Sequence, residues 1–355
     1  MRICLSPGTI GGGGIGIVML NLAEEFVRRG HEVDLLLLEE ETHRTAPPGV
    51  TVVHLGRRAR SGILNAARHL RRTRPDILIS ARDYVNVAMM AAHRLARLGR
   101  ATRLVWSFHT HRGSQLAGVP RRADILADRL TRLLVGRADA LVAVSAGVGR
   151  DIEAAFALPV GRVQVIENPV WTPARRRLAE APAPHEWFAQ GPVVVAMGRL
   201  TVQKDFPTLL QAFRALPDAR LVILGEGEDR AALEAMTVGM EDRILMPGHV
   251  ENPLAWLTHA DLFVLSSRWE GFPLSLVEAL GCGCPVVSTD CPSGPSEIVT
   301  PGLGRLVPVG DAAAMSVAMA DALRDPGDPA PRRAAALRFD AERAADLYLK
   351  AAGYG

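Results

Sequence analysis

The segment Val193–Lys204, VVVAMGRLTVQK, decides the fold because an apolar strand runs directly into a loop that carries glycine and basic residues. The same alternation of strand and helix continues to residue 307, with predicted helices at Pro207–Leu216, Asp229–Met236, Pro253–Thr258 and Pro273–Leu280 and predicted strands at Leu221–Leu224, Arg243–Met246, Leu262–Ser266, Pro285–Thr289 and Gly304–Val307. Repeated strand–helix–strand units are typical of a parallel sheet with helices on both faces. We therefore predict a doubly wound α/β domain.

The first half of the chain shows the same alternation. Its predicted strands are Arg2–Leu5, Val33–Leu38, Ile77–Ser80, Leu104–Phe108 and Ala140–Val144, and its predicted helices are Val18–Arg29, Ile63–Arg72, Val87–Leu98 and Ile125–Leu134. Proline-rich segments at Asn168–Pro173 and Ala181–Pro184 then interrupt the pattern. The sequence thus predicts two Rossmann-like domains joined near residue 170, with ligands bound in a cleft fed by loops at the carboxyl ends of both sets of strands.

Composition sets the broad class. A chain of 355 residues with 48% hydrophobic and 22% charged residues is not disordered and is too long for a single core. No apolar run reaches the roughly 20 residues of a membrane-spanning helix, and the N-terminus lacks a secretory pattern, so we expect a cytoplasmic protein. Four cysteines form neither a disulfide framework nor a zinc set, and we expect them to be reduced, packed residues.

Charge divides unevenly between the two halves. Residues 1–170 contain 24 Lys and Arg against 15 Asp and Glu, a net +9, whereas residues 171–355 contain 17 against 23, a net −6. This asymmetry favours an anionic partner for the first half. Nucleic acid is a poor candidate because aromatic residues are not interleaved with the basic ones and half of the molecule is acidic.

A glycine-rich segment, Gly11–Gly16, follows the first strand and precedes a helix, where backbone amides can receive an anion. It contains Gly-x-Gly-x-x-Gly, and Glu39 or Glu40 lies near the position of the acidic residue of a dinucleotide site. The five residues between Ser6 and Gly12 are more than the tight dinucleotide turn requires. We therefore favour a loop that approaches a phosphate over a nicotinamide-binding site. A flexible turn without a ligand remains an alternative.

Two further loops carry charged residues. Arg199 and Lys204 lie five residues apart after the first strand of the second domain, and a guanidinium fork with an ammonium can bind two linked phosphates. After the predicted strand Leu262–Ser266, the sequence RWEGFPLSLVEAL places Glu270 in a loop and Glu278 within a helix that Pro273 would begin.

The first amides of that helix, at Leu274 and Ser275, lack intrahelical partners and can bind an anion. The carboxylates of Glu270 and Glu278 can accept hydrogen bonds from sugar hydroxyls, one of a ribose and one of a hexose. The alternative is that Glu278 is an ordinary helix-surface acid and Glu270 a first-turn charge favoured by the helix dipole, and that Arg199 and Lys204 are solvated.

Taken together, four motifs resemble the retaining nucleotide-sugar glycosyltransferases of family 4, which have the GT-B fold. They are Gly198-Arg199-Leu200 with Lys204, Glu270-x7-Glu278, Gly281–Thr289 and the early glycine loop. The resemblance is almost continuous from Val193 to about Asp321 and holds only in pattern in the first half. It implies an N-terminal acceptor-binding domain, residues 1–170 plus 336–355, and a C-terminal nucleotide-sugar-binding domain, residues 171–335. It also implies a C-terminal helix, read here as Ala334–Ala352, that crosses back to the first domain.

The resemblance also implies roles for individual residues. Arg199 and Lys204 would hold the diphosphate, Glu270 would lie by the donor sugar, and Glu278 would hold the ribose. His109, with His111 as a competitor, would approach the donor sugar from the N-terminal domain. The predicted catalytic residues are His109, Arg199, Lys204 and Glu270, and the predicted donor-binding residues are Gly13, Gly14, Gly198, Val250, Gly271, Phe272, Leu274, Ser275 and Glu278.

The function implied is metal-independent, retaining transfer of a hexose or N-acetylhexosamine from a nucleoside-diphosphate sugar, here taken as UDP-linked. The acceptor would be a hydroxyl of a glycan, a lipid-linked sugar or a small molecule. The segment Asp290–Ile298 resembles a subgroup that builds bacterial surface polysaccharides or lipid-linked oligosaccharides, with Ser293–Ser296 near the donor. No cofactor and no metal are expected.

Clusters of arginine in the first domain would suit the anionic inner leaflet of the cytoplasmic membrane, or they are solvated helix faces; they are Arg57, Arg58 and Arg60, Arg71, Arg72 and Arg74, and Arg121 and Arg122. Two other functions stay open. A nicotinamide-dependent oxidoreductase would use Gly11–Gly16, and a noncatalytic nucleotide-sugar binder would keep the same site residues without transfer.

Overall fold

The computed structural model describes residues 1–11, 13–38, 44–56, 59–113 and 122–355. The described chain forms two compact units, Met1–Pro169 with Ala341–Gly355, and Val170–Asp340. Several residues named above lie outside the described ranges, namely Gly12, Glu39, Glu40, Arg57, Arg58 and Arg121.

The first unit contains seven strands and six helices among its described residues. The strands are β1 (Arg2–Gly8), β2 (Glu32–Leu37), β3 (Val50–His54), β4 (Ile77–Ala81), β5 (Arg103–Phe108), β6 (Ala140–Ala143) and β7 (Val163–Val165); the helices are α1 (Gly13–Arg28), α2 (Ala59–Thr73), α3 (Asp83–Ala96), α4 (Arg122–Leu134), α5 (Ala146–Phe156) and, at the end of the chain, α14 (Ala341–Ala351).

The second unit contains six strands and eight helices. The strands are β8 (Val193–Met197), β9 (Arg220–Leu224), β10 (Ile244–Gly248), β11 (Leu262–Leu265), β12 (Val286–Thr289) and β13 (Arg305–Val307); the helices are α6 (Pro173–Ala179), α7 (Phe206–Phe213), α8 (Arg230–Met236), α9 (Pro253–His259), α10 (Leu274–Cys282), α11 (Pro295–Ile298), α12 (Ala312–Arg324) and α13 (Pro329–Ala336).

Both sheets are entirely parallel and have the same winding. The strand order is β3-β2-β1-β4-β5-β6-β7 in the first unit and β10-β9-β8-β11-β12-β13 in the second. In each sheet the order reverses beside the first strand of its unit, between β1 and β4 and between β8 and β11. Ligands of open parallel sheets bind outside the carboxyl ends of the strands at such a reversal. The predicted doubly wound α/β fold class is therefore confirmed.

Continuous apolar strands build the core of each unit. All five residues of β4 are buried, and so are four of five in β8, because helices cover both faces of a parallel sheet. In the second unit Phe213, Leu262 and Met319 belong to one buried cluster that joins α7, β11 and α12. Among the residues that the structure describes, no helix combines the length and apolarity needed to span a bilayer.

Several predicted boundaries were wrong. Helix α1 begins at Gly13 rather than Val18, because the glycines form its first turn instead of a preceding loop. Two short edge strands, β3 and β7, were missed because most of their residues are partly or fully exposed and show no apolar run. Helix α5 was also missed, although Ser145 caps it by accepting a hydrogen bond from the Val148 amide at 3.2 Å.

The C-terminal segment is not the single helix predicted for Ala334–Ala352. Helix α13 ends at Ala336, a 3-10 turn follows, and extended backbone at Asp340 separates that turn from α14. Phe339 lies in the second unit, where its carbonyl accepts hydrogen bonds from the amides of Val170 at 2.8 Å and Trp171 at 3.0 Å. Residues 336–340, which were predicted to belong to the first domain, therefore belong to the second unit.

Helix α14 is attached to α1 within the first unit. The Arg29 guanidinium donates hydrogen bonds to the Asp346 carboxylate at 2.5 Å and to the Glu342 carbonyl at 2.7 Å. Arg29 also donates to Glu25 at 2.7 Å, so one cation joins the two helices. The chain therefore returns to its first unit after completing the second.

Candidate functional site

Two loops meet at the reversal of the second sheet, one after β8 and one after β11. The Arg268 amide donates to the Gln203 carbonyl at 2.8 Å, and the Gln203 side-chain amide donates to the Trp269 carbonyl at 2.9 Å. Ser266 Oγ donates to the Lys204 carbonyl at 2.7 Å. The structure therefore joins the two segments that the sequence singled out separately.

An ion pair links the predicted site residues of these loops. Lys204 Nζ lies 2.6 Å from Glu270 Oε1, and Ser267 Oγ donates to the same oxygen at 2.7 Å. The Lys204 and Glu270 side chains are 16% and 7% exposed, so water screens this pair less than it screens a surface pair. Glu270 is held by two donors, and the Lys204 ammonium stays at the carboxyl edge of the sheet.

Gly198 leaves room for the Lys204 side chain. A Cβ at Gly198 would lie 2.9 Å from Lys204 Cε, and the φ of +157° at Gly198 is unfavourable for other residues. Arg199 follows directly and is exposed at the same loop. The structure thus brings Gly198, Lys204 and Glu270 together and places Arg199 beside them, with its side chain toward solvent.

Helix α10 begins beside these loops, with Pro273 at the N-cap rather than at the predicted first helical position. The first helical amides are then those of Leu274 and Ser275, which have no carbonyl partner within their own helix. Glu278, 4% exposed, lies one turn further on and forms an ion pair with Arg175 of α6. The sequence did not indicate Arg175, which lies 103 residues away in the chain.

The loop after β12 covers the segment Gly271–Pro273. Ser293 Oγ donates to the Gly271 carbonyl at 3.1 Å, and the Glu270 amide donates to the Pro292 carbonyl at 3.4 Å. Phe272 is buried against Phe339, with ring centroids 5.5 Å apart, so at this predicted site residue only the backbone remains for a ligand. The predicted loop Ser293–Ser296 therefore fixes the backbone of the Glu270 loop.

Sequence reasoning missed the loop Gly225–Gly227 after β9. A Cβ at Gly225 would lie 2.0 Å from the Gly198 carbonyl oxygen, and a Cβ at Gly227 would lie 2.2 Å from that of Leu200. The sequence did contain an indication of this loop, since two glycines separated by one residue directly follow the strand β9. On the other side, the Gly225 amide donates to the Gly248 carbonyl at 2.8 Å, and Val250 follows shortly after β10.

In the first unit, Gly13 and Gly14 are the first residues of α1, not part of a free loop. The Arg44 guanidinium donates to the carbonyls of Ile10 at 3.0 Å and Gly13 at 3.1 Å. A Cβ at Gly16 would lie 3.0 Å from Ile10 Cα, so glycine there permits the close approach of helix and loop. A cation thus accompanies the start of this helix.

His109 directly follows β5. Its Nε2 lies 3.0 Å from Ser107 Oγ, and burial, assisted by the Arg82 cation, lowers the pKa of His109 to about 3. The imidazole is therefore neutral at physiological pH. The competing residue His111 instead lies near a carboxylate, with Nε2 3.9 Å from Asp151 Oδ1.

One three-residue group in the described part of the chain has metal-ligand chemistry, and it lies inside the first unit, with one residue each in β1, β2 and α2. The ligand atoms of Cys4, Asp34 and His69 are all within 4.8 Å of one another. His69 Nε2 is 2.9 Å from Asp34 Oδ2, an ordinary hydrogen-bond distance. Burial raises the pKa of the Cys4 thiol well above its usual value, which favours the neutral thiol over the thiolate that binds metals.

The four cysteines are free and buried, as predicted. Burial raises the pKa of Cys282 to about 11 and that of Cys291 to about 12. Both are therefore protonated, packed thiols.

Two doubly wound units in one chain, with an ammonium, carboxylates and a helix N-terminus at the carboxyl edge of the second sheet, define a class of two-domain proteins suited to a phosphorylated ligand. Family models give this class its identity. Residues 12–172 match the model described as Glycosyltransferase Family 4, and residues 179–338 match the one described as Glycosyl transferases group 1. The chain therefore belongs to the glycosyltransferases of the GT-B fold.

Individual relatives agree with this assignment. An uncharacterized glycosyltransferase of Methanocaldococcus jannaschii is 28% identical over 247 residues, covering 66% of this chain and 60% of the relative. An N-acetylgalactosamine-N,N'-diacetylbacillosaminyl-diphospho-undecaprenol 4-alpha-N-acetylgalactosaminyltransferase of Campylobacter jejuni is 30% identical over 173 residues, covering 48% of this chain and 46% of the relative. The matches thus span about half of these relatives' length.

A solved structure extends the likeness of fold to the whole chain. Anabaena HepE in complex with UDP has a TM-score of 0.81, with 19% identity and coverage of 99% of both chains. The same protein has been solved in complex with UDP-glucose, with a TM-score of 0.80 and 20% identity.

Proposed function

We propose that this protein is a retaining glycosyltransferase that moves a hexose or N-acetylhexosamine from a UDP-linked donor to a hydroxyl of a glycan or lipid-linked sugar, without a metal ion. The observation that carries the proposal is the Lys204–Glu270 ion pair beside the start of α10, which lies within one unit. HepE, which shares the fold, binds UDP and UDP-glucose, and this supports the choice of donor.

The donor would bind along the carboxyl edge of the second sheet. Lys204, Arg199 and the amides of Leu274 and Ser275 would meet the diphosphate, and Glu278 would accept hydrogen bonds from the ribose. The backbone near Gly248 and Val250 would contact the base. Because Arg175 already pairs with one oxygen of Glu278, the carboxylate is held in a fixed orientation before the ribose arrives.

Chemistry at the anomeric carbon places negative charge on the departing diphosphate. A fixed ammonium, a guanidinium and aimed amides oppose that charge, which is the role a divalent cation has in other transferases. Glu270 is held by Lys204 and Ser267, so we assign it to the donor sugar's hydroxyls and not to nucleophilic attack. We infer transfer on the same face, with the leaving phosphate taking the acceptor's proton.

Two observations support a choice of acceptor class, one from a relative and one from charge. The Campylobacter relative is named for a diphospho-undecaprenol acceptor, and the first half of this chain carries a net charge of +9. A lipid-linked sugar would bring an anionic diphosphate to that half. We therefore propose a lipid-linked acceptor over a free glycan.

Helix α4 would hold the enzyme at the membrane that carries such a lipid. It exposes Leu126 at 59% and Leu133 at 69%, on a helix that also exposes Arg129 and Arg132. Apolar and basic side chains mixed on one exposed helix are typical of binding at an anionic lipid surface.

Transfer can be tested directly. The protein is incubated with UDP-hexoses and UDP-N-acetylhexosamines, lipid-linked sugar acceptors and excess EDTA, and the linkage of the product is determined by NMR. The proposal predicts a product with the donor's anomeric configuration and a rate unchanged by EDTA. An inverted linkage would rule out retention, and UDP binding without transfer to any acceptor would favour a noncatalytic binder.

Membrane contact has its own measurement, cosedimentation with vesicles. The protein should cosediment with phosphatidylglycerol vesicles and not with phosphatidylcholine vesicles. Leu133→Glu should reduce the fraction of retained, vesicle-bound protein several-fold. Val317→Glu is the matched control, because Val317 is 63% exposed in α12 of the other unit. Equal retention of both variants would contradict the role of α4.

A further inference from the structure

The polar chain behind His109 extends into the C-terminal helix. Ser107 Oγ lies 3.0 Å from His109 Nε2 and 2.9 Å from the phenolic oxygen of Tyr348, which is 241 residues further along the chain. Ser107 and Tyr348 are 0% and 1% exposed. A buried path of two hydrogen bonds therefore joins helix α14 to the imidazole within the first unit.

The direction of these hydrogen bonds follows from counting protons. A serine hydroxyl has one proton to donate, and a neutral imidazole has one nitrogen that donates and one that accepts. For the buried Tyr348 hydroxyl, Ser107 is the one acceptor recorded among the described residues. If Tyr348 donates to Ser107 and Ser107 donates to His109 Nε2, both hydroxyl protons of this path have an acceptor.

The opposite direction is less favourable. His109 would then donate from Nε2 to Ser107, Ser107 would donate to Tyr348, and the phenolic proton would be left in the interior without an acceptor. An unsatisfied buried donor is costly because its hydration is lost without replacement. Burial also raises the pKa of Tyr348 to about 12 and lowers that of His109 to about 3, so both groups are neutral at physiological pH.

We propose that Tyr348, acting through Ser107, fixes His109 as the tautomer that carries its proton on Nδ1. The ring then offers a hydrogen-bond donor at Nδ1, and not an acceptor or an acid, to a hydroxyl-bearing ligand. Tyr348 is a positioning residue, since it would act on a ligand only through Ser107 and His109. Its assignment to sugar recognition rests on the proposed function, whereas the tautomer itself does not.

A second consequence concerns the path of the chain. Helix α14 belongs to the first unit although it follows the whole of the second. Helix α14 therefore has a chemical role besides packing, because its Tyr348 hydroxyl orients His109. In the sequence, Tyr348 follows all residues of the second unit.

The test is the tautomer of His109 in the full-length protein, read from long-range proton–nitrogen correlation spectra of the imidazoles. The chain has ten histidines, and His109→Gln identifies the signal. At pH 7.5 we expect the proton on Nδ1 in the wild type and loss of that signature in Tyr348→Phe. The matched control is Tyr354→Phe, because Tyr354 lies in the same terminal segment and is 38% exposed.

Kinetics separate positioning from folding. Loss of one orienting hydrogen bond should lower kcat/KM with a UDP-sugar by about five- to tenfold in Tyr348→Phe, while the Kd for UDP stays unchanged. An unchanged tautomer in Tyr348→Phe would overturn the proposal, even if activity fell. The spectra need no substrate, so the tautomer can be measured even in a protein that transfers no sugar. Absence of transfer would contradict the proposed function, whereas the spectra alone decide this inference.

Discussion

The two units have the same winding and very different chemistry at their carboxyl edges. In the second unit, basic and acidic side chains pair directly, as Lys204 does with Glu270 and Arg175 with Glu278. In the first unit, the predicted catalytic residue His109 is neutral and is linked through the Ser107 hydroxyl to Tyr348. One architecture thus carries paired acidic and basic side chains at one edge and a neutral, hydrogen-bonded imidazole at the other, because the loops set the chemistry and the sheet only positions them.

The comparison predicts its largest effect at Lys204. We expect Lys204→Ala to lower kcat/KM by about 100- to 1000-fold, because in the proposed reaction the ammonium would oppose charge that develops on the leaving diphosphate. Steady-state kinetics with the UDP-sugar measure this loss.

The chain supplies a close control for Lys204. Lys350 is the only other lysine in the sequence and is exposed, so Lys350→Ala should keep wild-type kinetics. A variant that combines Lys204→Ala with Glu270→Gln checks that the loss does not arise from an unpaired buried carboxylate. Comparable rates for Lys204→Ala and Lys350→Ala would contradict a charged site in the second unit.

A substitution at Gly227 should perturb the second unit through its loops. A Cβ at Gly227 would overlap the Leu200 carbonyl, so we expect Gly227→Ala to reduce the free energy of unfolding by about 1–3 kcal/mol and to weaken UDP binding. Chemical denaturation measures the first effect. Gly136→Ala is the control, since a Cβ there meets nothing within 4 Å. Equal stability of the two variants would show that the loops are not tightly joined.

Acid should reveal the neutral histidine of the first unit. The pKa of His109 is lowered from 6.5 to about 3, so the unfolded chain binds a proton below pH 6.5 that the folded chain binds only near pH 3. The associated stability is present above pH 6.5 and is lost as the pH falls toward 3. Between pH 7 and pH 4.5 we expect the wild type to lose on the order of 2 kcal/mol more than His109→Gln. Parallel losses, measured by denaturation at each pH, would contradict a neutral imidazole at His109 in the folded protein.

The sequence predicted the buried strands better than the edge strands, for a physical reason. Long apolar runs such as β8 and β4 gave the doubly wound fold, because strands buried on both faces are apolar at every position. The short edge strands β3 and β7 lack that signal. The break at Asp340 was also missed, because an amphipathic pattern continues across it and the carbonyl of Phe339 finds its partners at the far end of the second unit.

Candidate site residues were predictable singly and not in pairs. Lys204 and Glu270 were both predicted, since each follows a strand that ends at the same edge. Their ion pair could not be predicted, because it depends on the order of β8 and β11 in the sheet. The partners of Arg175 and Tyr348 could not be predicted either, because each residue lies on a helix far along the chain from the residue it contacts.

The most direct test of the account is calorimetric titration of UDP, without added metal, into the wild type, Lys204→Ala, Glu278→Gln and His109→Gln. If the donor's nucleotide binds to the second unit alone, the two second-unit variants lose about tenfold or more in affinity and His109→Gln binds UDP as the wild type does. Undiminished binding in Lys204→Ala and Glu278→Gln would contradict the assignment of the donor site.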